Sequence, residues 1–436
     1  MSIEDRVRDA TRARTDLVGG TRPLDLPLDL PARPSARATR DRGRRWLSWG
    51  APLAAAAVIA ALAVTLALVR QAGDPHPAPA APPAPASVPR YYAVLVSTGS
   101  SGTSPLKLVV GDDQTGRTLA VVNPSARMSF YGVTGAADDR TFVLANFANQ
   151  ETTWYLLRLD PGAAHPVQLR KLPIAPAKGQ VRGLALSTDG RELAVMGEEA
   201  GPSGIVGSPV VTRLAVYSVS SGAVLHSWST ESADGGDVTG ANADRLSWVN
   251  GDRSLDFRWG LVVAGAFHTL TVRTIGLTAA GTDLLAGSRV ALTVPDVTMR
   301  TEGTHATYSL PCASSLAAQD GTIVCGSAGA ASAAVVDACA AVPPSLVSYP
   351  GTTGKRLKTL YQYQGRCFSG SADVLWTDSG GRHVIFLLML QLNSPTGYPR
   401  TEYGLVSSGR LTLLPQLVLG SVTTENGLGL PGRFAF

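Results

Sequence analysis

Residues 183–195 read GLALSTDGRELAV: an apolar strand, a Ser-Thr-Asp-Gly turn, and a second apolar strand. Ser and Asp side chains hydrogen-bond to nearby backbone, and Gly takes the positive φ that a tight turn needs. The segment therefore predicts a β-hairpin. Four looser copies follow the same plan: Gly132–Leu144 (GVTGAADDRTFVL), Arg245–Phe257 (RLSWVNGDRSLDF), Ser315–Cys325 (SLAAQDGTIVC) and Val374–Phe386 (VLWTDSGGRHVIF). Their turn centres, near Asp138, Asp189, Gly251, Asp320 and Asp378, are spaced 51, 62, 69 and 58 residues apart. Repetition on this scale marks blades or an array.

A second unit lies between these copies. It is a strand, a turn ending in Gly, and a strand that often starts with Arg or Lys: Leu108–Leu119 (LVVGDDQTGRTL), Leu214–Leu225 (LAVYSVSSGAVL) and Leu346–Leu357 (LVSYPGTTGKRL). One copy of each unit makes a four-stranded sheet, which cannot bury its faces alone and so stacks radially with others. The expected fold class is all-β: a β-propeller of six four-stranded blades, or seven, with Tyr91–Val96 pairing with the last blade to close the ring. A pair of β-sandwiches is the alternative, and the regular period argues against it. These hairpins resemble those of bacterial TolB-like, lactonase-type and WD-repeat propellers over nearly all of 91–436. The whole chain also resembles actinobacterial membrane-anchored propeller proteins of unsettled activity. Such a resemblance implies a fold and leaves activity open.

Upstream, Trp46–Val69 (WLSWGAPLAAAAVIAALAVTLALV) is a run of 24 residues without a charge. As a helix it would extend about 36 Å, enough to cross a hydrocarbon core of about 30 Å. Trp46 and Trp49 suit the headgroup region, and Pro52 falls in the first turns, where it does little harm. Arg37, Arg40, Arg42, Arg44 and Arg45 precede the run and Arg70 alone follows closely, so residues 1–45 are expected in the cytoplasm and the rest outside. A cleaved signal peptide is the alternative; a 45-residue leader and a long apolar run count against it. Residues 73–90 (GDPHPAPAAPPAPASVPR) hold seven prolines and predict an extended spacer. The expected organisation is a mostly disordered Arg-rich tail (1–45), a transmembrane helix (46–70), a Pro-rich linker (71–90) and an exported propeller (91–436).

Composition supports this division. The chain carries +5 overall, of which the tail holds +4, leaving the large domain near neutral. The basic balance therefore reports a tail and excludes nucleic acid as a partner. Charged residues are only 16%, while 46 glycines and 29 prolines argue for many short strands joined by turns.

Cys312, Cys325, Cys339 and Cys367 lie within one stretch of the exported domain. An even number outside the cytoplasm predicts two disulfides, with 312–325 and 339–367 favoured among three pairings. No C-x-x-C and no neighbouring His supports a metal site. The six histidines (76, 165, 226, 268, 305 and 383) make no ligand spacing, and no G-x-S-x-G elbow occurs. Gly351–Lys355 (GTTGK) superficially suggests a phosphate loop but reads as a hairpin turn, with Arg356 where a magnesium-binding hydroxyl would stand. Asp112, Asp113, Asp138 and Asp139 lack a D-x-D-x-D-G arrangement and read as solvated turn residues. No catalytic, cofactor-binding or metal residue is assigned, and no cofactor is expected.

The leading expectation is thus a non-enzymatic binding, sensing or scaffold module tethered to a bacterial membrane, with a protein or glycan partner outside. One alternative is a transmembrane regulator whose tail binds a cytoplasmic, sigma-factor-like partner. The tail lacks the H-x-x-x-C-x-x-C pattern common in such regulators. Another is an exported hydrolase or lactonase, which would need carboxylates or a metal converging at the channel mouth.

Overall fold

The computed structural model describes residues 88–436 apart from 98–105, 125–128, 150, 179, 201–209, 233–245, 264–265, 295–297, 303–304, 332–342, 352–357, 365–367, 393–399 and 415–433. The apolar segment 46–69, the tail and most of the linker lie outside the described residues. Among those described, no helix is long and apolar enough to cross a membrane.

All five copies of the Asp-Gly turn join neighbouring strands. They link β4 (Ser129–Gly135) to β5 (Thr141–Ala148), β9 (Gln180–Leu186) to β10 (Glu192–Ala200), and β13 (Ser247–Val249) to β14 (Ser254–Val263). They also link β18 (His305–Ala317) to β19 (Thr322–Ala331), and β22 (Phe368–Thr377) to β23 (His383–Leu392). The second unit forms outer hairpins: β2 (Leu106–Asp112) with β3 (Arg117–Val122), β11 (Val210–Ser218) with β12 (Val224–Ser232), and β20 (Ser345–Pro350) with β21 (Lys358–Gln362). The GTTGK loop between the last two strands lies mostly outside the described residues.

These strands and their neighbours build four sheets with a four-strand path. The first runs β26 (Phe434–Ala435), β1 (Tyr91–Ser97), β2, β3. The second runs β4, β5, β6 (Glu151–Leu159), β7 (Val167–Lys171), with β8 (Ala177–Lys178) beside β6. The third holds β9 to β12, and the fourth holds β13, β14, β15 (Ala266–Gly276) and β16 (Ser288–Thr293). One four-residue helix, α1 (Leu284–Gly287), precedes β16. The first strand pairs with the last, Ala93 opposite Ala435 and Val94 opposite Phe434, so the chain ends share a sheet.

The expectation of six separate four-stranded blades needs correction. The remaining strands, β17 (Thr298–Glu302) through β24 (Arg400–Ser407) and β25 (Arg410–Leu413), form a single nine-stranded sheet. The fusion occurs where Ala328 and Gly329 of β19 pair with Ser371 and Gly370 of β22. This stretch of β19 reads GSAGAA, and a Cβ on Gly326 would collide with the Ala372 carbonyl, so only small side chains let the strands approach this closely.

Packing explains the long apolar strands. In β5, Phe142 and Leu144 face the first sheet while Val143 and Ala145 face the third. In β10, Leu193 and Val195 face the second sheet while Ala194 and Met196 face the fourth. Strands buried on both faces lose the apolar–polar alternation of a half-exposed sheet. Further clusters join β15 to β19, β20 to β23, and β23 back to β1. The innermost strands touch in the succession β4, β9, β13, β18, β22, β26 and back to β4. The arrangement is all-β and propeller-like.

Candidate functional site

The turn carboxylates hold the turns in shape. Asp138 Oδ1 accepts the Arg140 and Thr141 amides at 3.0 and 2.8 Å, and Asp189 Oδ1 accepts the Arg191 amide and the Ser187 hydroxyl at 3.0 and 2.7 Å. Asp320 Oδ1 accepts the Thr322 amide, and Asp378 Oδ1 accepts the Arg382 and His383 amides. Gly190 sits at φ +71°, as the hairpin demands.

The turns also bond to one another from sheet to sheet. The Arg90 amide donates to Asp139 Oδ2 at 2.7 Å, and the Ala137 amide to the Thr188 carbonyl at 3.1 Å. Thr188 donates its amide and its hydroxyl to Asp252 Oδ2, whose other oxygen accepts Gln319 Nε2 at 3.0 Å. The Asn250 amide donates to the Gln319 carbonyl, and the Asp320 amide to the Ser379 carbonyl at 2.9 Å. A chain of turn-to-turn bonds thus runs from the first sheet to the far half of the nine-stranded one.

One reading of individual residues changes. Asp112 and Asp113 are buried rather than solvated. Burial pushes Asp112 up, but the Arg90 guanidinium and the Thr115 and Gln114 amides outweigh it and hold its carboxyl below the ordinary value. Burial, with the Asp112 charge beside it, pushes Asp113 up to about 6. His383, which belongs to no ligand spacing, braces a turn: its Nδ1 lies 2.9 Å from Asp378 Oδ2. Burial raises Asp378, yet the His383 contacts outweigh it and leave the carboxyl below its usual value.

Cys312 and Cys325 form the expected disulfide, with Cα atoms 4.9 Å apart. It spans the irregularity between Leu310 and Ser314, where β18 loses register with β19. From β14 the buried Arg258 donates to the Ala313 and Cys312 carbonyls at 2.9 and 3.4 Å, satisfying acceptors that the ladder leaves unpaired. Cys339 and Cys367 lie outside the described residues. No group of His, Cys, Asp or Glu able to hold a metal is found among the described residues.

The most open chemistry lies in a cleft of about 760 Å³ between the second and third sheets. Leu156, Leu159 and Val219 form its apolar floor, Leu225 a wall, and Ser218 and Ser220 supply hydroxyls. Arg140, Arg158, Arg170 and Arg191 line it, against Asp138, Asp189 and Glu192. Arg170 is opposite Leu156 and Arg158 opposite Gln168, so the two arginines are diagonal neighbours on one face of β6 and β7. That face is the one carrying Trp154 and Leu156 into the interface with the third sheet. Nothing in the sequence singles out Arg158 and Arg170, because no motif contains them; Arg140 and Arg191 belong to the Asp-Gly hairpin units.

No family model matches the chain, and no curated protein matches it. Among solved structures it is similar to apo prolyl oligopeptidase B from Galerina marginata, at 11% identity and TM-score 0.41, over 74% of this chain and 51% of that one. It is also similar to TolB from Acinetobacter baumannii (11% identity, TM-score 0.30, 75% and 80% covered) and to hydrazine synthase from Kuenenia stuttgartiensis (11%, 0.37, 72% and 90%). The chain spans about half the length of the prolyl oligopeptidase structures it matches. Likenesses this loose carry no residue and no activity across, and the propeller-like description rests on the sheets above.

Proposed function

We propose that this chain is a membrane-tethered binding module: a six-bladed propeller held outside a bacterial membrane by the helix at 46–69. The fused nine-stranded sheet acts as two blades in this reading. Its support is the face-to-face packing of Val324, Leu346 and Leu360 against Val374, Val384 and Phe386 within that one sheet. The observation that carries the binding role is how side chains are spent. The turn carboxylates and His383 are engaged in bracing, whereas the large cleft is lined by arginines that face solvent. Guanidinium groups that stay charged at every ordinary pH suit recognition better than proton transfer. The Cys312–Cys325 disulfide fits an oxidising compartment.

Alkaline phosphatase fusions in a bacterial host test the display. Phosphatase joined after Phe436 should be active and phosphatase joined after Arg45 inactive. The reverse pattern, or release of the domain from the membrane fraction, would sink the tethered reading.

A further inference from the structure

We propose that the cleft between the second and third sheets binds a small organic polyanion, a molecule carrying at least two carboxylate or phosphate groups. This rests on the binding-module reading and names the ligand class for it. The carboxylates in the cleft do not neutralise its arginines evenly. Asp138 is taken up by its own turn, and Asp189 reaches Arg191 at 3.6 Å. Among the described residues Arg158 and Arg170 pair with no carboxylate. They stand as diagonal cross-strand neighbours, where Cβ atoms are about 7 Å apart and like charges oppose each other. An anion bridging them would turn that repulsion into two fork-shaped, charge-assisted contacts.

Size and lining argue against a bare ion. A cleft of about 760 Å³ falls within the range of organic-ligand sites, and its floor is apolar. Leu225, 43% exposed on the wall, offers contact to the body of a ligand whose charged groups reach the arginines. The walls are also braced beforehand. The Thr188–Asp189 turn is tied to Asp252, and Leu172 and Trp154 anchor β6 and β7 in the core. A rigid site loses less conformational freedom on binding.

Calorimetric titration of the full chain in detergent tests this, with fructose 1,6-bisphosphate, citrate, inorganic phosphate and glucose as probes. Wild type is expected to bind the bisphosphate or citrate, more weakly as salt rises, and glucose not at all. Whichever of the two binds more tightly identifies the phosphate or the carboxylate source. Arg158→Gln and Arg170→Gln should each weaken binding about tenfold, the cost of a lost charge-assisted contact. Arg410→Gln, on the distant β25, should leave it unchanged. Three results overturn the proposal: binding of neither the bisphosphate nor citrate by wild type, an unchanged affinity in the double variant Arg158→Gln/Arg170→Gln, or an equal loss in Arg410→Gln. Each would leave the phosphatase-fusion result, and the tethered display, standing.

Discussion

Asp252 accepts three hydrogen bonds from two neighbouring sheets while holding a left-handed backbone at φ +61°. Asp252→Ala should lower unfolding stability by about 2 kcal/mol in denaturant titration, since charged acceptors are worth more than neutral ones but this one is near solvent. Asp252→Asn should lose less. Equal stability in Asp252→Ala would mean the turns are not coupled. Asp256 behaves differently. It is buried in β14, one oxygen has no partner among the described residues, and burial pushes it up to about 6 against the Thr274 hydrogen bond and the Arg289 charge. A carboxyl raised in the folded state contributes stability that is fully present below its unfolded value and lost as pH rises through the folded one. Asp113 has the same sign, and Asp378, held low, has the opposite sign. Asp256→Asn should therefore stabilise the domain at pH 7.5 by up to about 3 kcal/mol and change little at about pH 3.5, below the ordinary carboxylate value. Parallel curves for the two proteins would contradict this.

At the scale of elements, the bulged β18–β19 hairpin depends on a covalent clamp. Closing a loop with 13 residues of separation stabilises by roughly 3 kcal/mol, so the paired variant Cys312→Ala/Cys325→Ala should lose at least that much. Calorimetric unfolding checks it, and a loss below about 1 kcal/mol would assign the work to Arg258 and packing instead. The hairpins differ in how far sequence reveals them. The five Asp-Gly turns were legible because their chemistry is local: among the described residues Asp189 bonds to its own turn, and Gly190 supplies the sign of φ. The outer hairpin of the fourth sheet was not, because α1 separates β15 from β16 and breaks the spacing. The β19–β22 fusion was equally hidden, since small residues at Gly326 and Gly370 permit an approach that no local pattern announces. Arg158 and Arg170 looked like ordinary strand cations. Their neighbourhood depends on the register of β6 with β7 and on the third sheet opposite, neither of which a single strand encodes.

For the whole molecule, closure depends on little chain. Residues 434–436 bring two backbone pairings to β1 and seat Phe434 and Phe436 beside Tyr92, Tyr403 and Ile385. Deleting them should cost at least about 3 kcal/mol, the scale of one lost buried aromatic, and broaden the thermal transition as the first sheet loosens. A sharp, unshifted transition would show that the packed interfaces alone maintain the ring. The same junction has a mechanical side. Tension arriving through residues 88–90 meets Arg90, bonded to both Asp112 and Asp139, and then β1, which is registered along seven residues of β2 as well as against β26. A pull along that strand loads these bonds together in shear instead of peeling them one at a time. The strand through which a tether would tug is also the strand that shuts the ring, so rupture there would open the ring while the continuous chain still held the domain.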